Sequence, residues 1–252
     1  YKMPTATNVG NHDTLSSAYG EHFDVPNESS LGCTPAGGDY YFVYNNVLFL
    51  CLNTNNFSAA QHLAFMEKAI AAAGDVSWKI VAFHQSVYSV ATHSTGVETT
   101  ARREMLVPLF QKLGIDVVLM GHDHVYARTY MMDGLTPITD ASYYDDQNFS
   151  SVTDPDSILY VTANSASGSK FYDIKQNTEF EYARVMNQEY TPNVSKVSIS
   201  DGTFQIVTYR VTDMSVVDSF TIHHTGKGGK ADNTDKENGG TSENGGNTSD
   251  GT

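Results

Sequence analysis

Apolar and polar residues alternate along the first half of the chain in a way that separates short strands from helices. Residues 40–44 and 47–52 are apolar runs separated by Asn45-Asn46. Asparagine tolerates the left-handed backbone of a tight turn, so this segment predicts a β-hairpin.

A helix is predicted directly after the hairpin. Ser58 followed by Gln61 is a capping-box pattern that begins a helix, and Gly74 ends it. The apolar positions between them recur at helical spacing, at Leu63, Met66 and Ile70.

Strand and helix signals continue to alternate up to residue 120. Residues 78–83 predict a short apolar strand, residues 100–113 an amphipathic helix, and residues 115–120 another buried strand. This alternation predicts an α/β (layered α+β) domain with a partly parallel sheet.

The second half of the chain differs, because its apolar runs follow one another without intervening helices. Asp201-Gly202 separates two of these runs and supplies a hairpin turn. The predicted strands are residues 158–162, 194–199, 204–211 and 216–222. We expect the domain to finish with an antiparallel β region.

From residue 225 the composition shifts to Gly, Asn, Asp, Ser, Thr and Lys. Such a segment cannot offset its ordering entropy by burial. We therefore expect one domain over residues 1–224 and a disordered tail over residues 225–252, of the kind that leads to a further domain or a surface anchor. No apolar run is long enough to span a bilayer, so no membrane span is expected.

The formal charge of −14 restricts the class of partner. Binding to a nucleic-acid polymer is not expected, because it requires clustered Lys and Arg, and no such cluster occurs. An acidic enzyme can still process phosphate compounds when bound cations reverse the local charge.

The two cysteines, Cys33 and Cys51, do not make a disulfide framework. Cys51 lies in an apolar run, where a buried free thiol is the simplest expectation. A bridge between the two remains open, because pairing depends on geometry.

Three polar clusters each follow a predicted strand. They are Asn11-His12 after residues 5–9, His84 after residues 80–83, and Gly121-His122-Asp123-His124 after residues 117–120. In open α/β sheets, ligand sites gather at the carboxyl ends of strands, where loops converge. Three imidazole-bearing clusters at one edge indicate a metal site.

Each cluster alone has a simpler explanation. A single histidine after a strand, such as His84, is more often a hydrogen-bonded structural residue than a ligand. A pair such as His122 and His124 also occurs by chance, and Asn11-His12-Asp13 has the composition of a capped turn.

Together, the segments resemble the last three signatures of the calcineurin-like metallophosphoesterases, most closely the purple-acid-phosphatase-like branch of secreted bacterial members. The signatures are Gly10-Asn11-His12-Asp13, Val81-Ala82-Phe83-His84 and Gly121-His122-Asp123-His124. The resemblance implies a β-sandwich flanked by helices and metal-dependent hydrolysis of a small-molecule or nucleotide phosphate ester. It also implies a secreted or cell-surface location.

The resemblance implies a metal-binding role for four residues. Asn11, His84 and His122 would bind one ion, and His124 would bind a second. Their amide and imidazole donors suit iron, zinc or manganese. Two such ions can hold a hydroxide nucleophile between them and clamp the phosphoryl oxygens.

Catalytic roles are implied for two further histidines. His12 would lie over the phosphate and assist at the leaving group, and His93 is a weaker candidate for the same work. Asp123 is expected to point outward or to support an imidazole. Tyr126 and Arg128 are open between pocket-lining residues and ordinary strand residues, and residues 132–156 are the expected specificity loop.

The chain departs from the family pattern in one respect. That pattern begins with an Asp-containing motif and a Gly-Asp motif, and neither precedes Gly10 here. We therefore expect the first strands and helices, and several ligands of one metal, to be missing. The hypotheses are a phosphoester hydrolase, a truncated and catalytically incompetent metal-binding module, and a structural α/β domain whose histidines make only hydrogen bonds.

Overall fold

The computed structural model describes residues 3–226. The predicted tail therefore lies outside the described residues from residue 227 onward. The helices are α1 (Ala18–His22), α2 (Ala59–Ala73) and α3 (Val97–Lys112). The strands are β1 (Tyr40–Tyr44), β2 (Val47–Cys51), β3 (Trp78–Gln85), β4 (Val117–Gly121), β5 (Tyr126–Thr129), β6 (Met132–Asp133), β7 (Thr136–Pro137), β8 (Ser151–Thr153), β9 (Leu159–Thr162), β10 (Ala183–Asn187), β11 (Asn193–Ser200), β12 (Thr203–Arg210) and β13 (Val216–His223).

Two sheets carry the fold. The larger has seven strands in the order β1-β2-β3-β4-β9-β5-β10, and its neighbours from β2 to β9 are parallel. The smaller has the order β11-β12-β13-β8, with antiparallel pairs except between β13 and β8. The predicted partly parallel sheet is confirmed, and the final β region is antiparallel apart from that pair.

Each face of the seven-stranded sheet packs against a different layer. One face buries Val81 and its neighbours against Met66 of α2 and Phe110 of α3. The other buries Trp78 and Ile80 against apolar side chains of the smaller sheet. Successive residues of β3 therefore serve opposite cores, as the two-residue period of a strand requires. The result is the predicted β-sandwich flanked by helices.

The local signals at the hairpin and at α2 are confirmed. Asn45 and Asn46 join β1 to β2 with φ values of 47° and 64°. The Ser58 hydroxyl accepts a hydrogen bond from the Gln61 amide at the start of α2, and Gly74 ends this helix with a φ of 67°. Helix α3 begins three residues earlier than predicted, at Val97 after Gly96.

Residues 5–9 were predicted to be a strand, and that prediction is wrong. This segment forms no ladder with any strand of the described chain, and neither sheet includes it. Side chains bind its carbonyls instead: the Tyr40 hydroxyl donates to Thr7 at 2.6 Å, and the Asn55 amide donates to Val9 at 3.3 Å. Asn11 is therefore positioned by side-chain contacts and not by a ladder.

Three further sequence expectations can be compared with the structure. Cys33 and Cys51 are both free thiols, and Cys51 is buried as expected. Over residues 3–226, none of the helices has the length and apolar character that crossing a membrane needs. The Thr225 amide donates to Asp154 at 2.8 Å, so residue 225 still contacts the domain.

Candidate metal centre

The three polar clusters meet at one edge of the seven-stranded sheet. Strands β3 and β4 are parallel neighbours, so His84 near the end of β3 and His122 directly after β4 lie at the same edge. Gly10 brings the third cluster to them: a Cβ at this position would lie 3.4 Å from the His84 ring. The missing side chain of Gly10 therefore lets the backbone beside Asn11 approach the imidazole closely.

The donor atoms of the first predicted ligand set converge. Asn11 Oδ1 lies 3.1 Å from His84 Nε2, and His122 Nδ1 lies 3.0 Å from the same nitrogen. The two imidazole rings are nearly perpendicular, with centroids 4.9 Å apart. One amide oxygen and two imidazole nitrogens therefore face a common point, which is a donor set for a borderline transition metal.

His84 and His122 are in the neutral form that metal binding requires. Burial lowers the pKa of His84, and the nearby His124 and His12 lower it further, against the opposing charge of Asp13. Burial and the neighbouring His84 also lower the pKa of His122, to about 4. Both imidazoles are thus neutral near pH 7 and keep the lone pairs that a ligand needs.

His124 is held by the loop that precedes β10. Its Nδ1 lies 2.8 Å from the Lys170 carbonyl oxygen. A carbonyl only accepts hydrogen bonds, so Nδ1 carries the proton and Nε2 keeps its lone pair. Metal-binding histidines are commonly oriented in this way.

His93 and Asp123 form a hydrogen-bonded pair beside His122. The His93 Nδ1 donates to Asp123 Oδ1, and the His93 and His122 rings are 4.6 Å apart. His93, His122 and Asp123 present ligand atoms within 4.8 Å of one another. Because His93 and Asp123 already bind each other, we interpret them as a dyad and not as a separate metal site. The prediction that Asp123 supports an imidazole therefore matches the structure.

His12 and Asp13 lie on the solvent side of this cluster. His12 is exposed and close enough to His84 to affect its pKa. Asp13 accepts a hydrogen bond from the Gly10 amide at 2.7 Å, so the capped turn that its composition suggested is present. The structure thus brings Asn11, His12, His84, His93, His122 and His124 to one site.

Tyr126 and Arg128 do not line this site. Both are buried, and both bind Asp218 of β13: the Tyr126 hydroxyl at 2.7 Å and the Arg128 Nε at 2.6 Å. They therefore join the two sheets. The sequence left open whether these residues line the pocket or are ordinary strand residues, and the pocket-lining interpretation is wrong. Their partner, Asp218, is too distant in the sequence for local rules to identify it.

The prediction that residues 132–156 form a specificity loop is also wrong. Strand β5 runs away from His124 and antiparallel to β9, so residues 132–156 lie toward the opposite edge of the sheet. The loop after β9, residues 163–182, returns to the site instead. Its Tyr172 ring lies 5.5 Å from the His124 ring and 5.6 Å from the His93 ring. No local sequence signal marked Tyr172, because no motif includes it.

A family model described as calcineurin-like phosphoesterase matches residues 1–126. The chain belongs to the calcineurin-like phosphoesterase family. The match includes Asn11, His84, His122 and His124, and this family implies a dinuclear metal centre. The converging neutral donors described above fit one ion of such a centre, and the oriented His124 fits a ligand of a second.

Known relatives extend the comparison. Two uncharacterised proteins from strains of Mycobacterium tuberculosis are each 28% identical over 154 residues. The aligned region covers 52% of this chain but only 28% of either relative. A purple acid phosphatase from yellow lupin (Lupinus luteus) seeds superposes with a TM-score of 0.60 at 20% identity, over 74% of this chain and 32% of that chain. That likeness supports the metallophosphoesterase fold.

Proposed function

We propose that the protein is a metal-dependent hydrolase of phosphate esters. The observation that carries this proposal is the convergence of Asn11 Oδ1, His84 Nε2 and His122 Nδ1 at one sheet edge in a calcineurin-like phosphoesterase. These three residues would hold one ion, and His124 would hold another through Nε2. When bound, such ions supply Lewis-acid chemistry to a phosphoryl group.

The chain's own residues have distinct tasks in this proposal. His12 is exposed beside His84, where its imidazole can give a proton to the leaving oxygen. His93 uses Nδ1 to bind Asp123, so Nε2 is the atom available to bind a phosphate oxygen. The His93 side chain is 44% exposed and can reach a substrate.

A second candidate function is metal binding without turnover. Its support is that the two carboxylates beside the site are already engaged: Asp13 binds the Gly10 amide, and Asp123 binds His93. Within residues 3–226, the centre is then built of amide and imidazole donors. A metal-binding module needs no more than this.

The two candidates separate in one experiment. The chain is dialysed with manganese or zinc, its metal content is measured, and hydrolysis of p-nitrophenyl phosphate is followed. For a hydrolase we expect turnover that falls at least about 100-fold in H84A and H122A. The exposed His22 provides the control, H22A, which should keep both metal and turnover. Metal that is lost in H84A without turnover in the parent chain would favour the binding module.

A further inference from the structure

Lys170 lies at the mouth of the candidate site on a loop that is fixed to a predicted metal ligand. The Lys170 carbonyl accepts from His124 Nδ1 at 2.8 Å, and the Tyr172 amide donates to the His124 carbonyl at 3.4 Å. The Gln188 side chain also donates to that carbonyl, at 2.8 Å. These hydrogen bonds hold residues 170–172 at a defined place beside His124.

The base of the loop is also tightly packed. Gly168 has a φ of 71°, and a Cβ there would lie 2.8 Å from a ring carbon of Pro192. The Gly168 amide donates to the Ser165 hydroxyl, and the Asn193 amide donates to the Ser165 carbonyl. The position of Lys170 therefore follows from the packing of its loop.

The Lys170 ammonium is not neutralised by a carboxylate. Its Nζ lies 4.6 Å from the centroid of the Tyr172 ring, which itself contacts His93 and His124. Among the ion pairs formed within residues 3–226, none includes Lys170. The side chain is exposed, so an anion in the site can draw the ammonium away from the ring at little cost.

Other cationic side chains near the site already donate hydrogen bonds to protein groups. Arg102 binds the Thr54 carbonyl and Glu98, and Arg103 binds the Val87 carbonyl. The Lys175 ammonium donates to the Thr95 hydroxyl. In a chain with 29 acidic and 15 basic residues, an ammonium held over a ring that contacts His93 and His124, with no carboxylate partner among the described residues, favours anions.

We propose that Lys170 binds a second anionic group of the substrate, adjacent to the phosphoryl group that the metal centre binds. The substrate class is then a phosphate compound that carries a second phosphate or a carboxylate next to the reacting phosphate. This inference rests on the proposed function, because the first phosphoryl group must lie at the histidine cluster.

Binding of non-hydrolysable probes tests the proposal without requiring turnover. Ethylphosphonate has a neutral neighbour group, whereas methylenediphosphonate adds a phosphonate and phosphonoacetate adds a carboxylate. Their dissociation constants are measured by calorimetry on the full chain with manganese, for the parent, K170Q and K170R. We expect K170Q to weaken binding of one or both probes that carry the second anionic group about fivefold relative to ethylphosphonate, which is the scale of one exposed ion pair. K170R should keep the preference, and added salt should reduce it.

Two controls give the result its meaning. K196Q removes an exposed lysine from β11 of the other sheet, and K175Q removes the lysine bound to Thr95; both should keep the preference. Chelation of free manganese would be equal in every variant. An unchanged preference in K170Q, with ethylphosphonate still bound, overturns the role of Lys170 alone. Failure of all three probes to bind the parent chain overturns the proposed function as well.

Discussion

At the scale of single residues, His122 and His124 both have left-handed backbones. Their φ values are 73° and 47°, a region that residues other than glycine adopt in only a few per cent of cases, with asparagine, aspartate and histidine the commonest. Backbone strain of this kind clusters at functional sites, where the surrounding structure holds it in place. Here it turns the chain sharply after β4, so that alternate residues direct one imidazole to His84 and the other to the loop of Lys170.

A buried ion pair between His62 and Asp39 is a second feature at this scale. His62 Nδ1 lies 2.7 Å from Asp39 Oδ2, and His62 Nε2 lies 2.9 Å from the Asn56 carbonyl oxygen. Burial lowers the pKa of His62, but the Asp39 carboxylate and the Asn56 carbonyl raise it by more, so its pKa lies above 6.5. Both ring nitrogens donate, which identifies an imidazolium.

This pair predicts a pH-dependent contribution to stability. A raised folded-state pKa gives stability that is complete below the unfolded pKa of about 6.5 and is lost as the pH rises through the folded value. We expect H62Q to lower the free energy of unfolding by about 3–5 kcal/mol at pH 6, because it leaves Asp39 without its charge partner. The deficit relative to the parent should shrink by pH 9. Urea denaturation at both pH values measures it, with exposed H22Q as the control; a constant deficit would contradict the prediction.

At the scale of elements, Gly74 is a position where a substitution introduces backbone strain without a packing clash. It ends α2 with φ 67° and ψ −148°, and a Cβ built there meets no atom within 4 Å. We expect Gly74→Ala to destabilise the protein by about 1–3 kcal/mol, since only glycine adopts this conformation readily. The matched control is Ala73→Gly, one residue earlier in the helix, which should cost only about 1 kcal/mol. Thermal unfolding of both variants checks the difference, and a neutral Gly74→Ala would show that the helix can end otherwise.

Arg128, on β5, and Asp218, on β13, join the two sheets at this scale. The Arg128 guanidinium lies over the Phe220 ring at 4.6 Å while it binds Asp218. We expect Asp218→Ala to cost about 3–5 kcal/mol, because it leaves a buried guanidinium without compensation. The double change Arg128→Met with Asp218→Leu should recover much of that loss. Chemical denaturation measures both, and exposed Glu104→Ala serves as the control. A small loss in Asp218→Ala would mean that water or relaxation satisfies Arg128.

These elements also show what the sequence could predict. Asn45-Asn46, Ser58 and Gly74 act on their immediate neighbours, so local rules placed the hairpin and α2 correctly. Asp218 lies 90 residues from Arg128, and Lys170 lies 46 residues from His124. Contacts at such separations depend on how sheets and loops assemble. The residues of the site, with Asp123 among them, were therefore predictable as motifs, while Lys170, which orients His124 from outside any motif, was not.

At the scale of the whole molecule, the candidate centre joins the ends of two buried strands to a segment that belongs to neither sheet. His84 and His122 belong to the ends of strands that are buried between α2, α3 and the smaller sheet. Asn11 belongs to a segment that lacks strand partners within the described residues and depends on Tyr40 and Asn55. The predicted disordered tail and the extracellular location remain predictions.

A metal bound at this centre should therefore stabilise the amino-terminal segment more than the sheet. Binding through Asn11, His84 and His122 would add a link between that segment and β3 and β4, and a ligand that binds only the folded state stabilises it. We expect added manganese or zinc to slow amide exchange by local opening at residues 8–11 at least about fivefold, and to slow exchange in β12 only where it proceeds through global unfolding. The protection should disappear with a chelator. It should also disappear in Asn11→Ala, whereas the H22A variant should retain it. Protection of residues 8–11 that persists in Asn11→Ala would contradict the prediction, and would place the metal away from Asn11.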